Sequence, residues 1–88
     1  MYLHLGNDVV VRKNEIVGIF DLDNTSQSAW TRRYLSAAEK AGSVVNAAGL
    51  ELPKSFVVCA HAGRQTIYLS QLNSSTLLRR SEGDGAVV

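Results

Sequence analysis

The chain has 88 residues, with nine basic and eight acidic side chains and a formal net charge of +1. That length supports one domain near the lower limit for a self-sufficient core, and the ordinary composition excludes disordered and fibrous classes. So weak a charge means that a nucleic-acid binder built from this chain must segregate its basic residues or act through several copies.

Cys59 is the only cysteine and sits in an apolar run, which excludes an intramolecular disulfide and reads as a buried, inert thiol. No basic-then-apolar leader opens the sequence and no apolar stretch approaches membrane-spanning length, so the expectation is a cytoplasmic protein with no membrane partner.

In chain order, Tyr2 to Leu5, the turn residues Gly6-Asn7-Asp8, and Val9 to Val11 read as two short strands in a hairpin. Arg12 to Glu15 is a polar break before Ile16-Val17-Gly18-Ile19-Phe20, which is apolar on both sides of the pleat and reads as a central strand. Three antiparallel strands are therefore expected by residue 21. Ser26 or Ser28 offers a cap for a helix over about 29–41, whose stripe Trp30, Tyr34, Ala37, Ala38 and Ala41 should face the sheet, with Gly42 ending it. Residues 43–48 form a short strand or extended return, and Pro53 marks a loop. Ser55 to Ala60 is again apolar on both faces, Ala62-Gly63-Arg64 turns the chain, and Thr66 to Ser70 returns. Asn73, Ser74 or Ser75 caps a short helix at about 75–80, and a flexible tail, 81–88, completes a single domain of residues 1–80. The fold class is α+β, a small antiparallel-rich sheet with one main helix.

Two strands thus look buried on both faces while only one full-length helix is available to cover them. A second copy of the chain is the natural cover, which predicts a homo-oligomer.

Phe20-Asp21-Leu22-Asp23-Asn24-Thr25 resembles the first motif of the haloacid dehalogenase-type phosphatases, in which the first aspartate attacks phosphorus, the second serves as acid/base, and both bind Mg²⁺. That chemistry needs a doubly wound parallel sheet of at least about 150 residues with the motif on its first strand. Tight turns before the motif imply antiparallel pairing instead. The plainer reading is that Asp21, Asp23 and Asn24 turn the strand and place negative charge near a helix N-terminus.

His4 and His61 lie far apart, without cysteine or carboxylate at ligand spacing, and read as partly buried strand residues; no metal or other cofactor is expected. The basic residues cluster as Arg12-Lys13, Arg32-Arg33, Lys54 and Arg79-Arg80. Arg79-Arg80 suits a helix C-terminus, and Arg32-Arg33 a solvated helix face. Arg12, Lys13 and Lys54 lie in loops before two apolar strands. If those strands are neighbours running the same way, both loops emerge at one end of the sheet and make a phosphate-binding patch.

The blocks Met1-Tyr2-Leu3-His4-Leu5-Gly6, Val9 to Val11, Glu15 to Asp21, Pro53 to Val58, Ile67 to Ser70 and Ser74 to Leu77 resemble the bacterial extracellular matrix regulators of the RemB type, related to RemA. The resemblance covers about residues 1–80. It implies a non-enzymatic domain that regulates biofilm matrix genes, assembles into rings, takes no small-molecule substrate, and binds double-stranded DNA through basic residues on the ring. The loop positions that carry arginines in the RemA type are Glu15, Glu51 and Leu52 here. Arg12, Lys13 and Lys54 are accordingly the expected phosphate contacts, with Arg32 and Arg33 as further candidates. The alternative is a ring-forming protein-interaction scaffold without DNA binding.

Overall fold

The computed structural model describes residues 1–22 and 29–87, with side chains through Glu82. Alternating apolar residues build the first element. Strands β1 (Tyr2–Gly6) and β2 (Val9–Arg12) pair antiparallel, and Leu3, Leu5, Val9 and Val11 turn to one side while Tyr2, His4, Val10 and Arg12 turn outward. The connection runs through Asn7 and Asp8, both at positive φ, as a two-residue turn of the primed kind demands. A single 3₁₀ turn, Lys13–Glu15, then redirects the chain into β3 (Ile16–Asp21).

β3 does not continue the hairpin. It joins a separate four-stranded sheet with β4 (Val44–Asn46), β5 (Ser55–His61) and β6 (Arg64–Ser70), in the order β3-β5-β6-β4. β3–β5 and β5–β6 are antiparallel, whereas β4 runs parallel to β6. The expected run of three antiparallel strands is thus broken after the second. The hairpin's apolar side needs a surface to cover it, and it lies across the sheet as a layer of its own, packing Leu3, Leu5 and Val11 onto Val57 and Cys59.

β5 and β6 occupy the centre. Ser55 to Cys59 are all buried, so the continuous apolar run marks a central strand here. The same inference fails for β3, which is an edge strand with Val17 and Phe20 exposed. A bulge between Ile16 and Gly18 also breaks its alternation. Ile16 and Ile19 face the hairpin layer, opposite Cys59 and Val57, while Phe20 lies opposite Phe56 on the other side. Gly18 allows this: a Cβ there would sit 2.7 Å from the Phe20 ring.

Helix α1 (Ala29–Lys40) covers the second face with Tyr34, Leu35 and Ala38, packed on Phe56, Val58 and Ile67. Trp30, Ala37 and Ala41 of the expected stripe are exposed, and Leu35 takes the place assigned to them. The contact stripe is one helical position removed from the aromatic one, because Leu35 and Ala38 are three apart and share a face. Gly42, at positive φ, ends the helix: its N–H donates to Glu39 O and that of Ser43 to Ala38 O, the paired bonds of a Schellman motif. Ser26 and Ser28, the expected caps, lie outside the described residues.

Asn73 caps the last helix, its Oδ1 accepting from the Thr76 N–H at 2.8 Å. This helix, α2 (Ser74–Val87), is longer than the 75–80 expected and continues through the segment expected to be a tail. It packs against β1 and β3 and drives Leu77 into the hairpin-side core. Lys13 helps hold it, Nζ donating to Ser81 O at 2.8 Å.

Two buried serines close the base of the sheet. Ser55 and Ser70 are partners across β5 and β6. Ser55 Oγ donates to Leu72 O, and Ser70 Oγ donates to Leu5 O while accepting from the Leu72 N–H. Ser70 therefore joins the hairpin, β6 and the turn into α2. Ser70→Ala leaves the Leu5 carbonyl without its donor and the Leu72 N–H without its acceptor. It should destabilise the protein by about 1–3 kcal/mol in chemical denaturation.

Candidate nucleic-acid interface and the exposed edge of β3

The basic residues are placed by three different elements. Arg12 ends β2 on the outward side of the hairpin, directly across from Tyr2. Together with Lys13, Asn14 and Met1 these two residues line an open concavity of about 650 Å³. Lys13 is half-buried by its bond to α2, so Arg12 is the more available cation of the pair.

Lys54 is exposed just before β5, with its backbone fixed at both ends of the peptide: its N–H donates to Ser70 O, and its carbonyl accepts from the Leu22 N–H. β3 and β5 are neighbours, as a shared patch requires, but they run antiparallel. The loop before β3 and the loop before β5 therefore leave opposite ends of the sheet. The six residues of β3 separate them, about 20 Å of strand. The single Arg12–Lys13–Lys54 patch does not form within one protomer. Arg32 and Arg33 are exposed on α1, over the other face from the hairpin.

The polar side chains at the start of β3 make a second cluster. His61 Nδ1 lies 2.6 Å from Glu15 Oε2, bridging the end of β5 to the 3₁₀ turn. Both His4 and His61 are exposed, contrary to the partly buried positions expected of them. Cys59 is buried beneath this pair in register with Ile16, and burial together with the Glu15 carboxylate pushes its thiol up to about 11. Burial first, then the neighbouring Cys59 and Glu15, raise Tyr68 as well.

Asp21 ends β3 opposite Ser55, and Asp23 lies outside the described residues. An aspartate at the end of an antiparallel edge strand does not reproduce the parallel sheet that phosphatase chemistry of the haloacid dehalogenase type requires. Among the described residues no group of three or more His, Cys, Asp or Glu side chains is placed to hold a metal ion.

Sequence patterning did not locate the largest exposed apolar features. Val17 is 63%, Phe20 45% and Trp30 67% exposed, and they line a groove of about 190 Å³ with Tyr34, Phe56 and Val58. Stacked rings floor it: Phe20 on Phe56 with centroids 5.0 Å apart, and Trp30 on Tyr34 at 5.4 Å. In the loop after β4, Leu50 is fully exposed and Leu52 is 86% exposed. Two leucines flanking a glutamate between Gly49 and Pro53 were the available signal, since a loop has no fold-level need for them.

A family model described as RemA-like, extracellular matrix regulatory protein A-like, matches residues 2–80. The chain belongs to the RemA-like family. It is also 42% identical to extracellular matrix regulatory protein B of Bacillus subtilis (strain 168) over 82 residues, which span 93% of this chain and 91% of that protein. The span matched in the RemA-like family takes in the hairpin, the sheet and α1, and it stops within α2.

The buried thiol gives this region a chemical readout. With its acidity weakened to about 11, Cys59 holds few thiolates at pH 8 and should resist an aromatic disulfide reagent until the protein unfolds. Between pH 9 and 11 the unfolded chain releases the thiol proton first, so the stability associated with Cys59 should fall as pH rises through that window. Chemical denaturation of the wild type and Cys59→Ala across these pH values isolates the effect.

Proposed function

We infer that this chain is a non-enzymatic, cytoplasmic regulator of extracellular matrix genes of the biofilm kind, that it works as a ring-forming homo-oligomer, and that it holds double-stranded DNA through backbone phosphates. Its membership of the RemA-like family supports the regulatory part. The observation that carries the assembly is the edge strand β3, with Val17 and Phe20 left in solvent beside Trp30.

Assembly in turn supports phosphate contact. One protomer offers a few separated cations: Arg12 at one end of the sheet, Lys54 at the other, and Arg32 and Arg33 on the helix. None of these points gives useful affinity alone. Repeated around a ring, they multiply as linked contacts do, without any change in the near-neutral net charge of each subunit.

A second reading, a ring that binds protein rather than DNA, is favoured by Glu15 and Glu51. Glu15 adjoins Ile16 at the start of β3 and is engaged with His61, while Glu51 stands exposed between Leu50 and Leu52. Neither attracts phosphate.

The two readings separate in a gel-shift titration of duplex DNA at several salt concentrations. Three phosphate contacts in an engaged subunit predict a fall in log K of about 2.7 per decade of salt. Arg12→Ala/Lys13→Ala/Lys54→Ala should lose retardation of every sequence equally, because backbone contacts carry no base information. Unchanged retardation by the triple variant rejects these three residues as the phosphate contacts, and absence of retardation by the wild type at low salt favours the scaffold.

A further inference from the structure

We propose that copies of this chain join head to tail, with Leu50 and Leu52 of one copy seated in the groove formed by Val17, Phe20 and Trp30 of the next. The proposal rests on the self-association inferred above and assigns it two different surfaces.

The topology separates those surfaces. The groove lies along β3, one edge of the sheet, on the side covered by α1. The leucines follow β4, the opposite edge. Their loop is braced at its root: Asn46 Oδ1 accepts from the Ala48 N–H, Asn46 Nδ2 donates to Gly49 O, Asn7 Nδ2 donates to Ala47 O, and the Glu51 N–H donates to Ala48 O. A loop so braced presents its side chains at little further entropic cost.

Area and charge both favour a second copy as the occupant. The three groove residues and the two leucines each expose about 350 Å² of apolar side chain, near 700 Å² together. With an ordinary polar rim that apolar area corresponds to an interface of about 1,200 Å², where specific association begins. Glu51 sits between the two leucines, and Arg33 lies one helical turn beyond Trp30. Both are exposed, so docking the leucines would bring a carboxylate toward the helix turn that carries a guanidinium. The contact is heterologous: each copy keeps one free leucine pair and one free groove, so addition continues until the rotation closes a ring.

Native mass spectrometry with sedimentation velocity tests this on purified full-length chains, with circular dichroism melts to establish that each variant folds. Wild type should form closed oligomers. Leu50→Asp/Leu52→Asp and Val17→Asp/Trp30→Ala should each be monomeric, and a mixture of the two should yield a 1:1 dimer and nothing larger, since only one pair of intact surfaces remains. Glu51→Arg should weaken assembly about tenfold, and adding Arg33→Glu should restore it. Variants that assemble like wild type overturn the assigned surfaces while leaving self-association standing. A wild type that is monomeric at tens of micromolar overturns both and gives the groove to another protein.

Discussion

The constraint on which the structure depends is the burial of β5 between two unlike layers. Val57 and Cys59 meet the β1–β2 hairpin and Leu77 of α2 on one side, and Phe56 and Val58 meet α1 on the other. Each such side chain removed from water contributes roughly 1.5–3 kcal/mol, and among the described strands β5 alone is buried through five consecutive residues, Ser55 to Cys59. Ser55 and Ser70 mark the polar limit of that burial. Their hydroxyls satisfy the carbonyls of Leu72 and Leu5, which allows the hairpin and α2 to close on the sheet without leaving a dry acceptor behind.

Cover spent on β5 and β6 is cover withheld from β3. The twelve residues of α1 make a rod about 18 Å long and about 10 Å wide, while the outer strands of a four-stranded sheet stand about 14 Å apart. One such helix protects two strands well and the edges poorly. α1 sits over Phe56, Val58, Ile67 and Val44, and the deficit falls on the α1 side of β3. The opposite side of β3 has no such deficit, since Ile16 and Ile19 pack with the hairpin core. The apolar edge therefore follows from the width of one helix.

Much of this was legible from residue patterns. The hairpin, the loop at Pro53, the strand from Ser55, the turn at Ala62-Gly63, the Asn73 cap and the Gly42 helix end each rest on local chemistry, and each appears where that chemistry places it. Strand order was not legible. The runs at Ile16 and Ser55 look alike in sequence, yet one is an edge and the other is central, because centrality is decided by which segments arrive later to pair and to cover. The same limit governed the basic residues. Arg12, Lys13 and Lys54 were read as loop cations, whereas Arg12 closes β2 and Lys13 opens the 3₁₀ turn, and whether two connections share an end depends on one bit of information, parallel or antiparallel, that no local pattern carries. Cover shows the difference most clearly: the hairpin and α2 were undercounted, so β5 is sealed by its own chain from Ser55 to Cys59, and of the two runs read as central only β3 is left partly uncovered.

The three-layer arrangement also separates two kinds of contact that would otherwise compete for the same cations. The proposed head-to-tail join would engage the α1 side of β3 and the loop after β4, and it would draw Arg33 toward Glu51, out of the set available to phosphate. The outward face of the hairpin lies beyond the opposite side of the sheet and would take no part in that join. It carries Arg12 beside Tyr2, with His4 and Val10 paired next to them, all exposed. A polyanion laid along an assembly of these chains would meet the hairpin face once per subunit, and its affinity would scale with the number of copies engaged rather than with the charge of any one. A net charge of +1 gives a single chain little general attraction for a polyanion, so any useful affinity would have to come from repetition.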